Sequence, residues 1–328
     1  MNHFEYLQPT DLAEASRLLG DGPDEAMIFA GGTDMLSLLK DDVVAPRKLI
    51  NIKGIPGLDD IRYTPGNGLV LGPLVTIRAI KENPTIREHY PVLAEAADVL
   101  ASPQLRNLGT LGGNLCQRPR CWYFRGDFDC LRKGGATCYA LEGRNKYHCI
   151  IGGHPCVIVH PSDMAVALLA LDAKVTIYTP EETRQIPLNE FFVRPAEDYE
   201  REHVLKPGEI MSRIEVPAPP SGMLSGYRKF MERAVWDFAV VSVAAVFTRS
   251  GDRITGGRVS FGGVAPVPWQ DEAFNRKLSG LRLTKRSVTD ACKTLLSGAE
   301  PLSENAFKLP LARNLTGSLL LELAGVPL

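Results

Sequence analysis

The chain has 328 residues, enough for two or three domains with hydrophobic cores of their own. Its 37 Lys and Arg against 38 Asp and Glu leave a formal charge of −1, so no charge excess favours nucleic acid or anionic lipid as a partner. No apolar run reaches the ~18–20 residues of a membrane-spanning helix, and the first residues lack the basic and apolar regions of a secretory signal. We therefore expect a cytoplasmic protein, with export to the periplasm on a partner's signal as the alternative.

The first 55 residues alternate between helical and strand patterns. An apolar spacing of about 3.6 residues predicts helices at LAEASRLL and MLSLLK, and apolar runs predict strands at AMIFA and KLINI. Thr10 or Asp11 is suited to cap the first helix. This pattern predicts a small first unit.

A glycine turn, FAGGTDML, follows the first predicted strand and opens a helix. Gly31 and Gly32 would let a ligand approach the backbone, and the helix N-terminus offers free N–H groups to an anion. Thr33 and Asp34 can cap the helix or bind a ribose or phosphate oxygen, although an ordinary capped turn also explains the segment. Neither G-x-G-x-x-G nor G-x-x-x-x-G-K-[ST] occurs, which disfavours a Rossmann or P-loop site.

The second zone, about residues 56–218, mixes strand patterns (GLVLGPLVTI, KVTIYT, IMSRIEVP) with helical ones (YPVLAEAADVL, MAVALLALD). It contains a second glycine turn, TLGGN at 110–114, which offers backbone donors, a hydroxyl and an amide. A tight loop is the alternative interpretation. Two such turns about 80 residues apart favour a long ligand with a central pyrophosphate, such as FAD.

Six of the seven cysteines lie between residues 116 and 156, in a stretch with little helical or strand periodicity. Cys121, Cys130, Cys138 and Cys156 have the spacing C-x8-C-x7-C-x17-C, which matches neither zinc ribbons nor bacterial ferredoxins. Four thiolates can bind zinc or an iron–sulfur cluster, and unligated or disulfide-bonded cysteines are the alternative. Composition leaves open which four of the six bind. Cys292 is predicted to be a small buried apolar side chain.

Basic residues surround these cysteines. They are Arg118, Arg120, Arg125, Arg132, Lys133, Arg144 and Lys146. They can offset the negative charge of a thiolate-ligated cluster, or they form a solvated basic loop.

A proline-rich junction, PAPPSG at 217–222, predicts a domain boundary. Beyond it, GYRKFMER, FAVVSVAAVFTR and RITGGRVSFGGVAP predict antiparallel strands, with the turn SGDR between the second and third. The tail from Thr284 onward predicts helices. The chain has no internal repeat.

The segments AGGTD, TLGGN, HPSDMAVALLALDAKV and YRKFMERAVWDFAVVSVAAVF, with the cysteines between them, occur in a fixed order. This order resembles the FAD-binding medium subunit of the molybdenum hydroxylases, the xanthine dehydrogenase and carbon monoxide dehydrogenase family, over essentially the whole chain. The cysteine insertion looks like the loop that holds an extra 4Fe–4S cluster in the β subunit of 4-hydroxybenzoyl-CoA reductase and in periplasmic aldehyde oxidoreductase.

The resemblance implies an α+β fold in two domains. The first, 1–218, would be a vanillyl-alcohol-oxidase (PCMH) type FAD-binding domain with subdomains of about 1–55 and 56–218 and a cysteine-rich loop at 115–157. The second, 223–328, would be an α+β domain of the CO dehydrogenase flavoprotein C-terminal type.

The resemblance also implies the site residues. Those near FAD would be Ala30, Gly31, Gly32, Thr33, Asp34, Leu100, Thr110, Leu111, Gly112, Gly113, Asn114, Asp163, Met211 (through its backbone) and Lys229. The cluster ligands would be Cys121, Cys130, Cys138 and Cys156, the last because it lies seven residues before Asp163; Cys149 is left out. Without the resemblance, Asp163 would be interpreted as a helix-capping residue and Lys229 as an exposed strand lysine. No catalytic residue is implied in this chain.

The implied function is electron transfer within a heterotrimer or a dimer of heterotrimers. A large subunit would carry molybdopterin and bind the organic substrate, and a small one would carry 2Fe–2S clusters. This chain would exchange electrons with them and with an external acceptor or donor through FAD. The alternatives are a zinc-stapled, non-catalytic assembly subunit with a vestigial FAD site, and a stand-alone FAD oxidase.

Overall fold

The computed structural model describes residues 1–327. Within them the α-helices are α1 (Leu12–Leu18), α2 (Met35–Lys40), α3 (Ile77–Glu82), α4 (Pro84–His89), α5 (Pro91–Asp98), α6 (Pro103–Leu108), α7 (Leu111–Leu115), α8 (Trp122–Arg125), α9 (Asp163–Ala170), α10 (Glu272–Leu278), α11 (Lys285–Cys292) and α12 (Lys308–Leu323). The strands are β1 (Glu5–Leu7), β2 (Ala26–Phe29), β3 (Lys48–Asn51), β4 (Ile61–Thr64), β5 (Gly68–Leu71), β6 (Lys174–Tyr178), β7 (Thr183–Pro187), β8 (Ile210–Val216), β9 (Leu224–Phe230), β10 (Val241–Ser250), β11 (Arg253–Gly262) and β12 (Trp269–Gln270).

The first unit is a small parallel sheet in the order β1-β3-β2, with α1 and α2 between its strands. The Asp11 side chain accepts a hydrogen bond from the Glu14 backbone N at 2.8 Å, so the predicted cap of α1 is confirmed. Ala15 of α1 and Ile50 of β3 are fully buried in its core. The sequence missed β1, because three largely exposed residues carry no apolar pattern.

The second unit is a five-stranded antiparallel sheet in the order β4-β5-β8-β6-β7. Its core also contains α5 and α9, and every residue of α9 is buried. The prediction of one long strand at GLVLGPLVTI was wrong: β5 ends at Leu71, a turn follows, and Thr76 caps α3 through a hydrogen bond from the Ala79 backbone N. Gly72 and Pro73 in this stretch are poor strand residues.

The third unit is an antiparallel sheet in the order β12-β11-β10-β9, packed against α12. The β10–β11 hairpin turns at Ser250–Arg253, as predicted. The core of this unit includes α11 and α12 residues, while Tyr227 and Ala244 of the same sheet belong to the main core of the second unit. The second and third units therefore share a packed interface.

Residues 116–157 form an ordered excursion with little regular structure, as predicted, apart from α8 and a short 3₁₀ turn at Leu131–Lys133. Backbone hydrogen bonds anchor its far end to the third unit, for example Ile150 N to Val264 O at 2.8 Å. Among the helices of the described chain, none combines the length and apolar character that a membrane crossing requires.

Candidate functional site

The two glycine turns lie against each other. A Cβ atom on Gly31 would come within 1.9 Å of the Leu108 carbonyl oxygen, and one on Gly109 would come within 3.6 Å of Thr33 Oγ1. Thr110 caps α7 by accepting a hydrogen bond from the Gly113 backbone N at 3.2 Å. The fold therefore brings together turns that are distant in sequence, and Gly31 is required by the neighbouring backbone itself.

Asp34 was predicted to cap α2 or to bind a ribose or phosphate oxygen. It occupies the N-cap position but makes no capping hydrogen bond from its side chain. Its carboxylate accepts instead from the Arg118 backbone N at 2.9 Å and Arg125 Nη2 at 2.8 Å, and it pairs with Arg120 at 3.0 Å. The capping interpretation is wrong, because three donors from residues 116–157, which we call the cysteine segment, bind this carboxylate instead.

Asp163 and Lys229 form a buried ion pair. Lys229 Nζ lies 2.8 Å from Asp163 Oδ2, and the two side chains are 1% and 4% exposed. The Tyr227 hydroxyl donates to Asp163 Oδ1 at 2.6 Å, and burial together with this carboxylate raises the pKa of Tyr227. Interpreting Lys229 as an exposed strand lysine is therefore wrong.

The second glycine turn reaches this ion pair through Ser162. Ser162, rather than Asp163, caps α9, and its hydroxyl also donates to Asn114 Oδ1 at 2.6 Å. Lys229 Nζ donates to the Val99 carbonyl at 3.3 Å, which places Leu100 beside the same group.

The remaining candidate residues of the predicted FAD set are more dispersed. Leu111 and Gly112 are buried in α7, Ala30 lies at the edge of the first unit, and Met211 packs into the main core from β8.

The cysteine cage, which we define as Cys121, Cys130, Cys138 and Cys156, surrounds one cavity of about 20 Å³. The neighbouring Cys156 lowers the pKa of Cys138. Burial raises the pKa of Cys121 to about 11. The fold thus collects four sulfurs from a stretch of 36 residues (121–156) into one place.

The other three cysteines do not line the cage cavity. Cys149 packs with Ala140 and Val157 in an apolar cluster that Cys138 also contacts, and Cys116 packs against the main core. Cys292 is buried in the core of the third unit, which confirms its predicted apolar role.

Arg132 is a buried basic residue at the wall of the cage. It lines the cavity, is 4% exposed, and its Nη1 donates to Glu202 Oε1 at 2.6 Å. Its guanidinium reaches the Cys156 thiol, while its buried Nε and Nη2 atoms lack a conventional partner among the described residues. Arg144, in contrast, has an 80% exposed side chain, as expected for a solvated basic loop. Arg132 is the member of the set whose position suits compensation of cluster charge.

A larger cavity of about 260 Å³ adjoins the cage. Asp163, Arg120 and His160 line it, and Cys121 and His148 line both this cavity and the cage. Arg120 Nε and His160 Nε2 are buried without a hydrogen-bond partner among the described residues. Such polar atoms facing a cavity suit a polar ligand.

Sequence reasoning missed His148, Glu202 and Tyr227. His148 Nε2 lies 3.2 Å from Cys121 Sγ, and burial lowers the pKa of His148 to about 4, so the imidazole is neutral. Its position directly before Cys149 was the available signal. Nothing local marks Glu202 or Tyr227.

The cage is not arranged as a metal site in this structure. Among the described residues, no three or more His, Cys, Asp or Glu side chains converge as a group that would hold a metal ion.

Comparison with known proteins assigns the family. The family described as the FAD binding domain in molybdopterin dehydrogenase matches residues 2–219, and the CO dehydrogenase flavoprotein C-terminal domain matches residues 226–323. The chain is an FAD-binding medium subunit of the molybdenum hydroxylase family. The implied α+β fold class is thereby confirmed.

Relatives of this medium subunit match along nearly its whole length. The aldehyde oxidoreductase FAD-binding subunit PaoB of Escherichia coli K12 is 40% identical and covers 98% of each chain. The carbon monoxide dehydrogenase medium chain of Hydrogenophaga pseudoflava is 28% identical, over 92% of this chain and 88% of its own. A solved structure of carbon monoxide dehydrogenase from Hydrogenophaga pseudoflava, lacking the Mo-pyranopterin moiety, superposes with a TM-score of 0.76 at 27% identity, covering 97% of this chain and 96% of that one.

Proposed function

We propose that this medium subunit binds FAD and a 4Fe–4S cluster side by side and transfers electrons between partner subunits and an external acceptor or donor. The observation that carries the proposal is the contact between the two cavities. The cysteine cage and the larger cavity beside Asp163 share two lining residues, Cys121 and His148. Two redox groups held there would lie close enough to exchange electrons.

The glycine turns and the Asp163 group are proposed to hold FAD. The contact of Gly31 with Leu108, and the hydrogen bond from Ser162 to Asn114, link both turns to the group around Asp163. Arg120 Nε and His160 Nε2, which have no hydrogen-bond partner within residues 1–327, add polar atoms at the larger cavity. FAD supplies the redox chemistry, while these residues bind and orient it and exclude water.

The cage residues are proposed as the cluster ligands. Four thiolates form the usual ligand set of a 4Fe–4S cluster. The buried Arg132 supports this assignment. Two of its guanidinium nitrogens lack a conventional partner in the described part of the chain, and a positive charge at the cavity wall suits a negatively charged, thiolate-ligated cluster. The remaining cysteines pack in apolar surroundings, and we propose that they do not bind the cluster. They are Cys116, Cys149 and Cys292.

The zinc-stapled alternative has less support. Membership of an FAD-binding family argues against a vestigial nucleotide site. The stand-alone oxidase is disfavoured too, because the relatives reported above are subunits or chains of larger enzymes.

The partners proposed for this chain are a molybdopterin-binding large subunit and a 2Fe–2S small subunit. The organic substrate would bind to the large subunit. The PaoB relative, a subunit of an aldehyde oxidoreductase, is 40% identical, whereas the carbon monoxide dehydrogenase chain is 28% identical. This difference favours an aldehyde as the substrate of the complex.

Metal and flavin analysis of the full chain tests the proposal. After anaerobic purification and reconstitution we expect bound FAD with about four irons and four acid-labile sulfides per chain. Cys130→Ser and Cys138→Ser should each lose most of the iron, whereas Cys149→Ser and Cys292→Ser, which remove cysteines outside the cage, should retain it. A colourless protein with stoichiometric zinc would favour the assembly-subunit alternative instead.

A further inference from the structure

His148 is positioned from every side. Its backbone carbonyl accepts hydrogen bonds from Lys308 Nζ at 2.8 Å and Asn305 Nδ2 at 3.1 Å. Its ring packs edge-on against Trp122, with centroids 5.5 Å apart, and at a tilt against Tyr123, with centroids 6.2 Å apart. The imidazole is thus fixed both through its backbone and through its ring.

The ring lies at the boundary between the two cavities. His148 lines both, and its Nε2 is 3.2 Å from Cys121 Sγ, while the buried Nδ1 has no partner among residues 1–327. A thiolate has no proton to share, so a hydrogen bond to it requires the N–H to be on Nε2. The contact then becomes an N–H···S bond on the side of the cage that faces the larger cavity.

We propose that His148 donates a hydrogen bond from Nε2 to the Cys121 thiolate and thereby raises the reduction potential of the proposed cluster. The inference rests on the proposed function. Hydrogen bonds to ligand sulfurs stabilise the more negatively charged, reduced state, and they are among the main determinants of iron–sulfur potentials. His148 is therefore a positioning residue for electron transfer, acting through Cys121.

The test is a redox titration of the full chain monitored by electron paramagnetic resonance, after measurement of iron and sulfide. His148→Leu removes the donor, and we expect the cluster to be reduced at a lower potential. A tenfold change in the equilibrium constant for reduction corresponds to about 59 mV for a one-electron couple, and a shift of about that size is expected. His148→Gln retains an N–H donor and should recover part of the shift.

His203→Leu is the matched control. It removes a half-buried imidazole that stacks on Phe191 instead of contacting a cage sulfur, and it should leave the potential unchanged. An unchanged potential in His148→Leu would overturn the inference, as would loss of iron from both His148 variants, since His148 would then have a purely structural role. Absence of iron from the unsubstituted chain would refute the cluster itself, which separates failure of the proposed function from failure of this inference alone.

Discussion

The Asp163 carboxylate is the most deeply buried acidic group of the predicted FAD set, with a side chain 4% exposed against 15% for Asp34. It receives hydrogen bonds from Lys229 and Tyr227 while almost fully buried at the first turn of α9. A helix N-terminus also favours a negative charge at this position. A buried charge without its partner destabilises the fold, so each member of the ion pair stabilises the buried charge of the other.

Removing Lys229 should therefore destabilise the protein strongly. Lys229→Met leaves the Asp163 carboxylate buried with Tyr227 as its remaining side-chain donor, and we expect the free energy of unfolding to fall by roughly 3–5 kcal/mol. The double variant Asp163→Asn/Lys229→Met should recover part of that loss. Urea unfolding of the full chain measures the change, and flavin content after reconstitution shows whether the group also holds FAD.

The matched control for this experiment is the exposed ion pair of Arg258 and Asp172. Arg258→Met should change the free energy of unfolding by no more than about 1 kcal/mol, because solvent screens the pair. Equal losses in the two single variants would contradict the assignment of the Asp163 pair as a buried, mutually dependent unit.

At the scale of elements, the start of α12 holds the cysteine segment in place through side-chain hydrogen bonds. Lys308 is fully buried, and its Nζ donates to the carbonyls of Tyr147, His148 and Gly263 at 2.7–3.0 Å. Asn305, just before the helix, donates to the carbonyls of Asn145 and Cys149, and it shares the His148 carbonyl with Lys308. Side chains more than 150 positions away in sequence thus satisfy the backbone carbonyls of residues 145–149.

The burial of Lys308 predicts a pH dependence of stability. Desolvation lowers the pKa of Lys308 from 10.5 to about 7 in the folded chain. Between these values the unfolded chain binds a proton on this side chain that the folded chain does not, so stability rises with pH across this window. The free energy of unfolding of the parent minus that of Lys308→Met should therefore increase from pH 7 to pH 9, as measured by urea unfolding.

Lys293→Met, which removes an exposed lysine, supplies the comparison for this pH series. Its difference from the parent should stay constant over the same range. A Lys308 difference that stays constant from pH 7 to pH 9 would contradict this prediction and show that the three carbonyl acceptors hold the ammonium form against desolvation.

Regular elements could be predicted wherever apolar periodicity was strong. MAVALLALD supplies α9, whose residues are all buried, and FAVVSVAAVFTR supplies the long strand β10. The short strand β7 was missed, because it lies at a sheet edge and its residues TRQIP are exposed or half-buried. A sequence pattern identifies an element through the apolar residues of its buried face, and edge elements have few such residues.

The site was less accessible than the fold to local reasoning. Asp163 and Lys229 are 66 residues apart, and their contact depends on how α9 packs against the third sheet. The family resemblance, rather than any spacing, singled them out. Cysteine clustering, by contrast, was visible directly, because the four cage residues lie in one continuous segment.

For the molecule as a whole, the cysteine segment is the point at which three units meet. Arg120 and Arg125 pair with Asp34 of the first unit, Arg132 pairs with Glu202 of the second, and residues 145–149 are held by the start of α12 in the third. The order of this segment therefore depends on all three units, and each unit in turn has polar groups that only the segment satisfies.

Loss of the proposed cluster should consequently loosen regions outside the segment that holds it. Metal binding couples to local folding, so chelation of the iron should speed amide hydrogen exchange not only at 116–157 but also at 29–36, 198–204 and 303–309, where the partner groups lie. The β4–β5 hairpin makes none of these ion pairs and should exchange at the same rate in both states. Hydrogen exchange measured by mass spectrometry on iron-loaded and iron-depleted chain makes the comparison, with Cys292→Ser expected to behave as the parent. If faster exchange is confined to 116–157, the three units do not depend on this segment for their local stability, and the prediction is wrong.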